Sequence, residues 1–305
     1  MGTIKFIGEF TLHATISILP FFFISIAVAS LIKTFKFESY LKKAFHGKEM
    51  ASIPIATTTG AFSPLCSCGV IPAISAMLSS GIPLAPIMAF WIASPLMSPE
   101  SFVLTYSILG SEMAIARLIA TIAIGLIAGY ITLHLTKSGF LGNKILKIVD
   151  NSFSTDINDL ENDLSKTDVM IVRMLQFLLN LKDMAIFVGK YIIIAFVVEA
   201  IIILYVPIDV VGNILGNSNK AGPILAAFIG VPAYASSISA MPVVRGLIDL
   251  GMDKGTALSF LIGGAATSIP AMIAVFSIVK KKVFIIYISI SMIGAILCGY
   301  VYRLF

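Results

Sequence analysis

Two of the three cysteines in the chain stand two residues apart, within Ser63-Pro64-Leu65-Cys66-Ser67-Cys68-Gly69-Val70-Ile71-Pro72. On a helix Cys66 and Cys68 would project about 200° apart and could not share an ion. On extended backbone they point to one side, so both sulfurs could grip one soft centre: zinc, monovalent copper or trivalent arsenic. Two thiolates fall short of the usual set of about four in a structural zinc site. Methionines such as Met97 or Met241 could add a thioether, and a metal held by Cys66 and Cys68 is read as transported substrate, with no resident cofactor. The competing reading is a pair of small residues that lets helices pack closely. The proline and glycine on either side favour the functional reading. The remaining cysteine, Cys298, lies alone in the last apolar run and is read as a small packed hydrophobe.

The stretch that must position these thiols is Met50 to Pro99, fifty consecutive residues without a formal charge. As one helix it would run roughly 75 Å, more than two hydrocarbon thicknesses, so it must enter or cross a bilayer and return. Its middle is not plain helix: Pro64 and Pro72 remove backbone donors, Gly60 and Gly69 weaken helix, and Thr57, Thr58 and Thr59 supply hydroxyls for freed backbone groups. Ser80-Gly81-Ile82-Pro83 divides the stretch, and Ser94-Pro95 and Ser98-Pro99 break its second part.

With 58% hydrophobic and 12% charged residues the chain lies outside the soluble range and reads as an integral membrane protein. Its charges, +5 net, sit in short loops between apolar runs. They therefore carry topology information and mark no nucleic-acid groove. No phosphate-binding loop appears, which argues against ATP coupling within the chain. Phe10 to Ile32 is 23 residues long and is expected to be retained as a spanning helix.

By the positive-inside rule the loop Lys33 to Lys48 and the loop Lys137 to Lys147 are cytoplasmic. Asp150 to Asp168 is acidic and reads as a solvated linker, followed by a surface helix over Val169 to Lys182. Further apolar runs cover Met184 to Val206, Ala221 to Val244, Gly255 to Val279 and Val283 to Tyr302, giving about eight hydrophobic segments. Beyond the linker the pattern recurs at an offset of 170: Ser67 faces Ser237, Pro72 faces Pro242, Gly81 faces Gly251 and Phe90 faces Phe260. The basic loops reverse between the copies, with Lys33 to Lys48 early in the first and Lys280 to Lys282 late in the second. This predicts an all-α membrane protein of two inverted-topology repeats, residues 10–131 and 183–302, joined by a cytoplasmic segment 132–182. Counting crossings between the charged loops requires one segment of each pair to be re-entrant or broken.

Unwound backbone survives in a membrane only where protein or a wet cavity satisfies it. Two such breaks, at Ser63 to Pro72 and Val231 to Pro242, would meet at a substrate site. The expected lining is Ser63, Cys66, Ser67 and Cys68 on one side and Ser236, Ser237 and Ser239 on the other. Pro64, Gly69, Pro72, Pro95, Pro232, Pro242 and Pro270 would set the breaks. Glu199, mid-span, is the better candidate for proton coupling, with Glu100 behind it. Glu100 and Arg117 lie near segment ends and are expected to reach the interface.

The cysteine segment, with Gly81-Ile82-Pro83, Ala89-Phe90, Ala93-Ser94-Pro95, Gly230-Val231-Pro232 and Gly255-Thr256-Ala257-Leu258-Ser259-Phe260, resembles the ArsP/YraQ family of predicted permeases. The resemblance implies a multi-span permease, in one branch an exporter of trivalent organoarsenicals. It also implies Cys66 and Cys68 as substrate thiols, with Pro64, Gly69 and Pro72 holding the unwound backbone. The chain departs at Ser236, where the arsenical branch carries a further cysteine, and at Ala271, where many relatives have glutamate.

The expectation is a plasma-membrane exporter of a soft metal or metalloid, working by alternating access and compatible with an oligomer. The rivals are a carrier of a small anion or organic solute, a membrane thiol oxidoreductase using Cys66 and Cys68, and a scaffold without flux. Against the oxidoreductase, a disulfide between residues two apart would be strained.

Overall fold

The computed structural model describes residues 49–63, 70–79, 82–140, 220–233 and 237–304, with isolated positions at 8–9, 11–12, 16, 186, 193–194, 197 and 200. Most of the expected first span, the acidic linker, the surface helix and most of the run containing Glu199 lie outside the described residues. The fold is all-α. Among the described residues its helices in the first part are α1 (Glu49–Ala61), α2 (Val70–Ser79), α3 (Leu84–Leu96), α4 (Pro99–Leu109) and α5 (Ser111–Lys137). In the second they are α6 (Gly222–Ala233), α7 (Ser237–Asp249), α8 (Lys254–Ala266), α9 (Ile269–Ile278) and α10 (Lys281–Arg303).

Among the described residues three stretches are long and apolar enough to cross a bilayer: Leu84–Leu109, which joins α3 and α4, then Ser111–Lys137 and Lys281–Arg303. Every residue of α3 is buried, as is every residue of α8 after Lys254. A helix apolar on all sides belongs inside, and these two form the centre. The long helices α5 and α10 bury one side only. Ile115, Ile119 and Ile127 of α5, and Ile285, Ile293 and Leu297 of α10, are exposed, as lipid-facing residues should be.

The second set of helices keeps the register of the first. The starts of α3 and α8, of α4 and α9, and of α5 and α10 are each 170 residues apart. So are individual hydrogen bonds: Ile82 N to Met77 O and Met252 N to Leu247 O close equivalent turns. Within each set the central helix packs on the first and last helices, α3 on α1 and α5, α8 on α6 and α10. Across the sets, α4 packs on α7 while α2 packs on α9, and α3 meets α8 as α5 meets α10.

Small residues allow these approaches. A Cβ on Gly60 of α1 would lie 2.6 Å from the Phe90 carbonyl oxygen of α3, and one on Gly230 of α6 would lie 2.8 Å from that of Phe260 in α8. Both are closer than a side chain tolerates, so glycine sets the helix separation in both places. Gly110 serves a different need: with φ at 92° it makes the turn between α4 and α5.

Contacts at the helix ends orient α5 and α10. Glu112, in the first turn of α5, accepts from Lys254 Nζ at 2.6 Å and from Tyr302 Oη, near the end of α10, at 3.1 Å. At the far end Lys282, in the first turn of α10, reaches the carbonyl of Phe140, just past α5. The start of each long helix therefore lies beside the end of the other, and the two run antiparallel.

Candidate functional site

The span Leu84–Leu109 is interrupted by Met97 and Ser98, both in extended conformation, after 13 helical residues and before 11 more. Pro95 contributes, since it removes one donor just before the break. Ser98 caps the resumed helix by accepting from the Ser101 amide at 3.1 Å, with Pro99 in the first turn where its missing N–H costs nothing. The second set repeats this arrangement. Helix α8 stops at Ala266, Thr267 and Ser268 separate it from α9, and Pro270 stands in the first turn of α9.

A helix that stops inside a protein leaves its last carbonyls without partners and with a partial negative charge. Each break answers this with a side chain from the long helix of its own set. Arg117 of α5 donates from Nε to the carbonyl of Leu96, the last residue of α3, at 3.0 Å. Tyr287 of α10 donates from its hydroxyl to the carbonyl of Ala266, the last residue of α8. Arg117 and Tyr287 are 170 residues apart, as are Leu96 and Ala266, and each donor is the seventh residue of its helix.

The two donors differ in chemistry and in what else they touch. Arg117 is 0% exposed, and its NH1 donates to Thr105 Oγ1 at 3.0 Å. Thr105 in turn donates to the Ser101 carbonyl and lies 3.8 Å from the sulfur of Met241 in α7. A fully buried guanidinium is costly unless it is hydrogen-bonded, and the Leu96 carbonyl and the Thr105 hydroxyl both accept from it. The expectation that Arg117 reaches the interface is therefore wrong. The chain fold turns its side chain inward to a carbonyl 21 residues earlier, where the helix-end dipole favours a cation. Tyr287, also buried, stacks its ring on Trp91 of α3 with centroids 4.8 Å apart.

Ser63, the last described residue before the cysteine segment, lies with Oγ 2.8 Å from Ser94 Oγ, which is itself buried two residues before the end of α3.

A family model described as ArsP_1, predicted permease, matches residues 4–304. The chain belongs to this permease family. Its relatives include UPF0718 protein MJ0584 of Methanocaldococcus jannaschii, 20% identical over 97% of this chain and 93% of that one. UPF0718 protein YcgR of Bacillus subtilis is 22% identical, covering 93% and 92% respectively. A putative two-component membrane permease complex subunit of Streptococcus mutans is 23% identical over 39% of this chain and 42% of its own. No solved structure matches the chain.

In this membrane permease Pro64, Cys66, Ser67, Cys68, Gly69, Ser236 and Glu199 lie outside the described residues. Pro72 falls in the opening turn of α2, where proline fits helix, and Ser237 and Ser239 open α7. Pro232 is the penultimate residue of α6. Pro242 lies inside α7, exposed, and the helix continues past it to Asp249. Glu100 is exposed in the first turn of α4, a favourable position for a carboxylate at a helix start. His134 is exposed in the last turn of α5, and Cys298 is half-buried against the core.

Thr57, Thr58 and Thr59 donate to carbonyls one turn back within α1, at Ile53, Pro54 and Ile55. Their hydroxyls serve their own helix and leave the break to Arg117. Sequence reasoning missed Arg117 and Tyr287 as partners of the breaks. The usable signal was that both occupy the same register position in the repeat, each with a hydrogen-bonding head.

Proposed function

We propose that this permease exports a soft metal or metalloid species across the plasma membrane, with Cys66 and Cys68 as the groups that hold it. The single observation carrying the reading is the Ser63–Ser94 hydrogen bond, 2.8 Å long, which ties the entry to the thiol segment to the end of α3 at the first break. Cys66 and Cys68 follow Ser63 by three and five residues, which favours a site for them beside this break. Thiolates prefer soft centres, and a pair of them binds a cargo that must also leave.

We further infer that residues 10–131 and 183–302 are inverted repeats joined by the cytoplasmic segment 132–182. The shared register of 170, the reciprocal packing of α4 with α7 and α2 with α9, and the antiparallel α5 and α10 support this. Inverted repeats permit alternating access by rocking one bundle against the other. Ser236, Ser237 and Ser239 would line the wall opposite the cysteines, Glu199 would carry a coupling proton, and the basic loops would face the cytoplasm.

The test is uptake of methylarsenite, arsenite, zinc and monovalent copper into everted vesicles, by the parent and by the Cys66→Ser, Cys68→Ser double variant. Accumulation of one species by the parent alone is the expected result. Equal accumulation by both proteins would remove the cysteines from the site. A second reading, carriage of a small anion, is favoured by the buried Arg117 guanidinium at the first break. It predicts that uptake survives the double substitution and disappears in Arg117→Met.

A further inference from the structure

A transporter that unwinds a helix in mid-span must keep it unwound through every conformation, or the span will close over the site. A bare carbonyl at the end of α3 or α8 has two ways to gain a partner in an apolar surrounding. The chain can continue the helix through the break, or the carbonyl can draw in water. A fixed donor on a neighbouring helix removes both drives. Arg117 meets the Leu96 carbonyl and Tyr287 meets the Ala266 carbonyl, from the same register position of α5 and α10.

Tyr287 also reaches the other half of the molecule directly, and Arg117 does so through one intermediate side chain. Arg117 holds Thr105 of α4, whose hydroxyl touches Met241 of α7. Tyr287 lies flat on Trp91 of α3. A movement of one half against the other therefore acts on the residue that caps a break, and not only on the helix that contains it.

We propose that Arg117 and Tyr287 are a matched pair of positioning residues for transport, each fixing the break of its own half while linking it to the opposite half. The proposal rests on the transport reading above. It assigns them no contact with cargo. Their removal should slow the cycle without weakening cargo binding, because the thiols are untouched.

The experiment uses the full-length protein in lipid nanodiscs for hydrogen exchange and in everted vesicles for methylarsenite uptake, with Arg117→Met, Arg117→Lys and Tyr287→Phe. Tyr287→Phe keeps the ring on Trp91 and removes only the donor. It should raise amide exchange over residues 263–272 by roughly tenfold and leave 93–102 unchanged. Arg117→Met should do the reverse, and Arg117→Lys, which keeps the charge and one donor, should restore part of the protection. In vesicles both donor deletions should lower kcat about tenfold with KM held within about threefold, the signature of a residue acting outside the binding step.

Exchange that rises in both windows together, exchange that rises in neither, or a KM increase at constant kcat would overturn the proposal. Should the parent carry none of methylarsenite, arsenite, zinc and monovalent copper while exchange follows the local pattern, the soft-cargo reading fails and the positioning of the two breaks stands.

Discussion

At the first break a guanidinium meets the terminal carbonyl of α3, and at the second a phenol meets the terminal carbonyl of α8. The backbone around them is the same in outline: 13 helical residues, two extended or irregular ones, and a second helix opening on Ser-Pro in one half and Ser-Ile-Pro in the other. What the comparison teaches is that the requirement belongs to the helix end, which needs a donor, while the choice of donor is open. Arginine adds a fixed charge and further N–H groups, and so gathers Thr105 as well. Tyrosine has one proton to give and spends the rest of its surface on Trp91.

The largest expected effect lies at Arg117. Arg117→Met should lower unfolding stability by about 3 kcal/mol, because it leaves the Leu96 carbonyl and the Thr105 hydroxyl to find new partners in a buried place. Thermal unfolding in detergent with a lipid-stabilised control would measure it. A cost no greater than that of Tyr287→Phe would mean that the charge contributes nothing beyond a hydrogen bond.

Gly60→Val and Gly230→Val sharpen the comparison, since they press on equivalent carbonyls at 2.6 and 2.8 Å. Each should cost about 2 kcal/mol, and the two should agree closely, by the ordinary penalty of overpacking. Unequal melting shifts would reveal that one half yields more easily than the other.

Tyr287→Phe should cost about 1 kcal/mol, one neutral hydrogen bond with the ring contact kept. The smallest effect belongs to the exposed helix-end contact. Lys254→Met removes a pair with Glu112 whose side chains are 59% and 67% exposed, and its melting temperature should match the parent within error. A clear drop there would make that contact a clamp between halves and not a surface pair.

Much of the fold was legible in the chain. The punctuation by proline and glycine carried the offset of 170, and Ser98-Pro99 marked the break, which the structure turns into a capped restart because serine caps and proline tolerates the first turn. The all-α membrane character followed from hydropathy. The capping of the breaks was not legible, for a physical reason. A lone arginine seven residues into a span looks like one that reaches up to the headgroups, and nothing local says that a carbonyl 21 residues away is waiting. Pro242 misled in the other direction, because proline signals a break but a tertiary setting can carry a helix through it. Thr57 to Thr59 suggested aid for unwound backbone, yet a hydroxyl in a helix finds the carbonyl one turn back first.

The stack between Trp91 and Tyr287 has one more consequence. Trp91 is the chain's single tryptophan, so all indole emission comes from the point where α3 of one half meets the capping residue of the other. The molecule thus carries its own optical gauge, in which any turnover that separates the halves changes the colour or quenching of one known ring, without a dye or an engineered label.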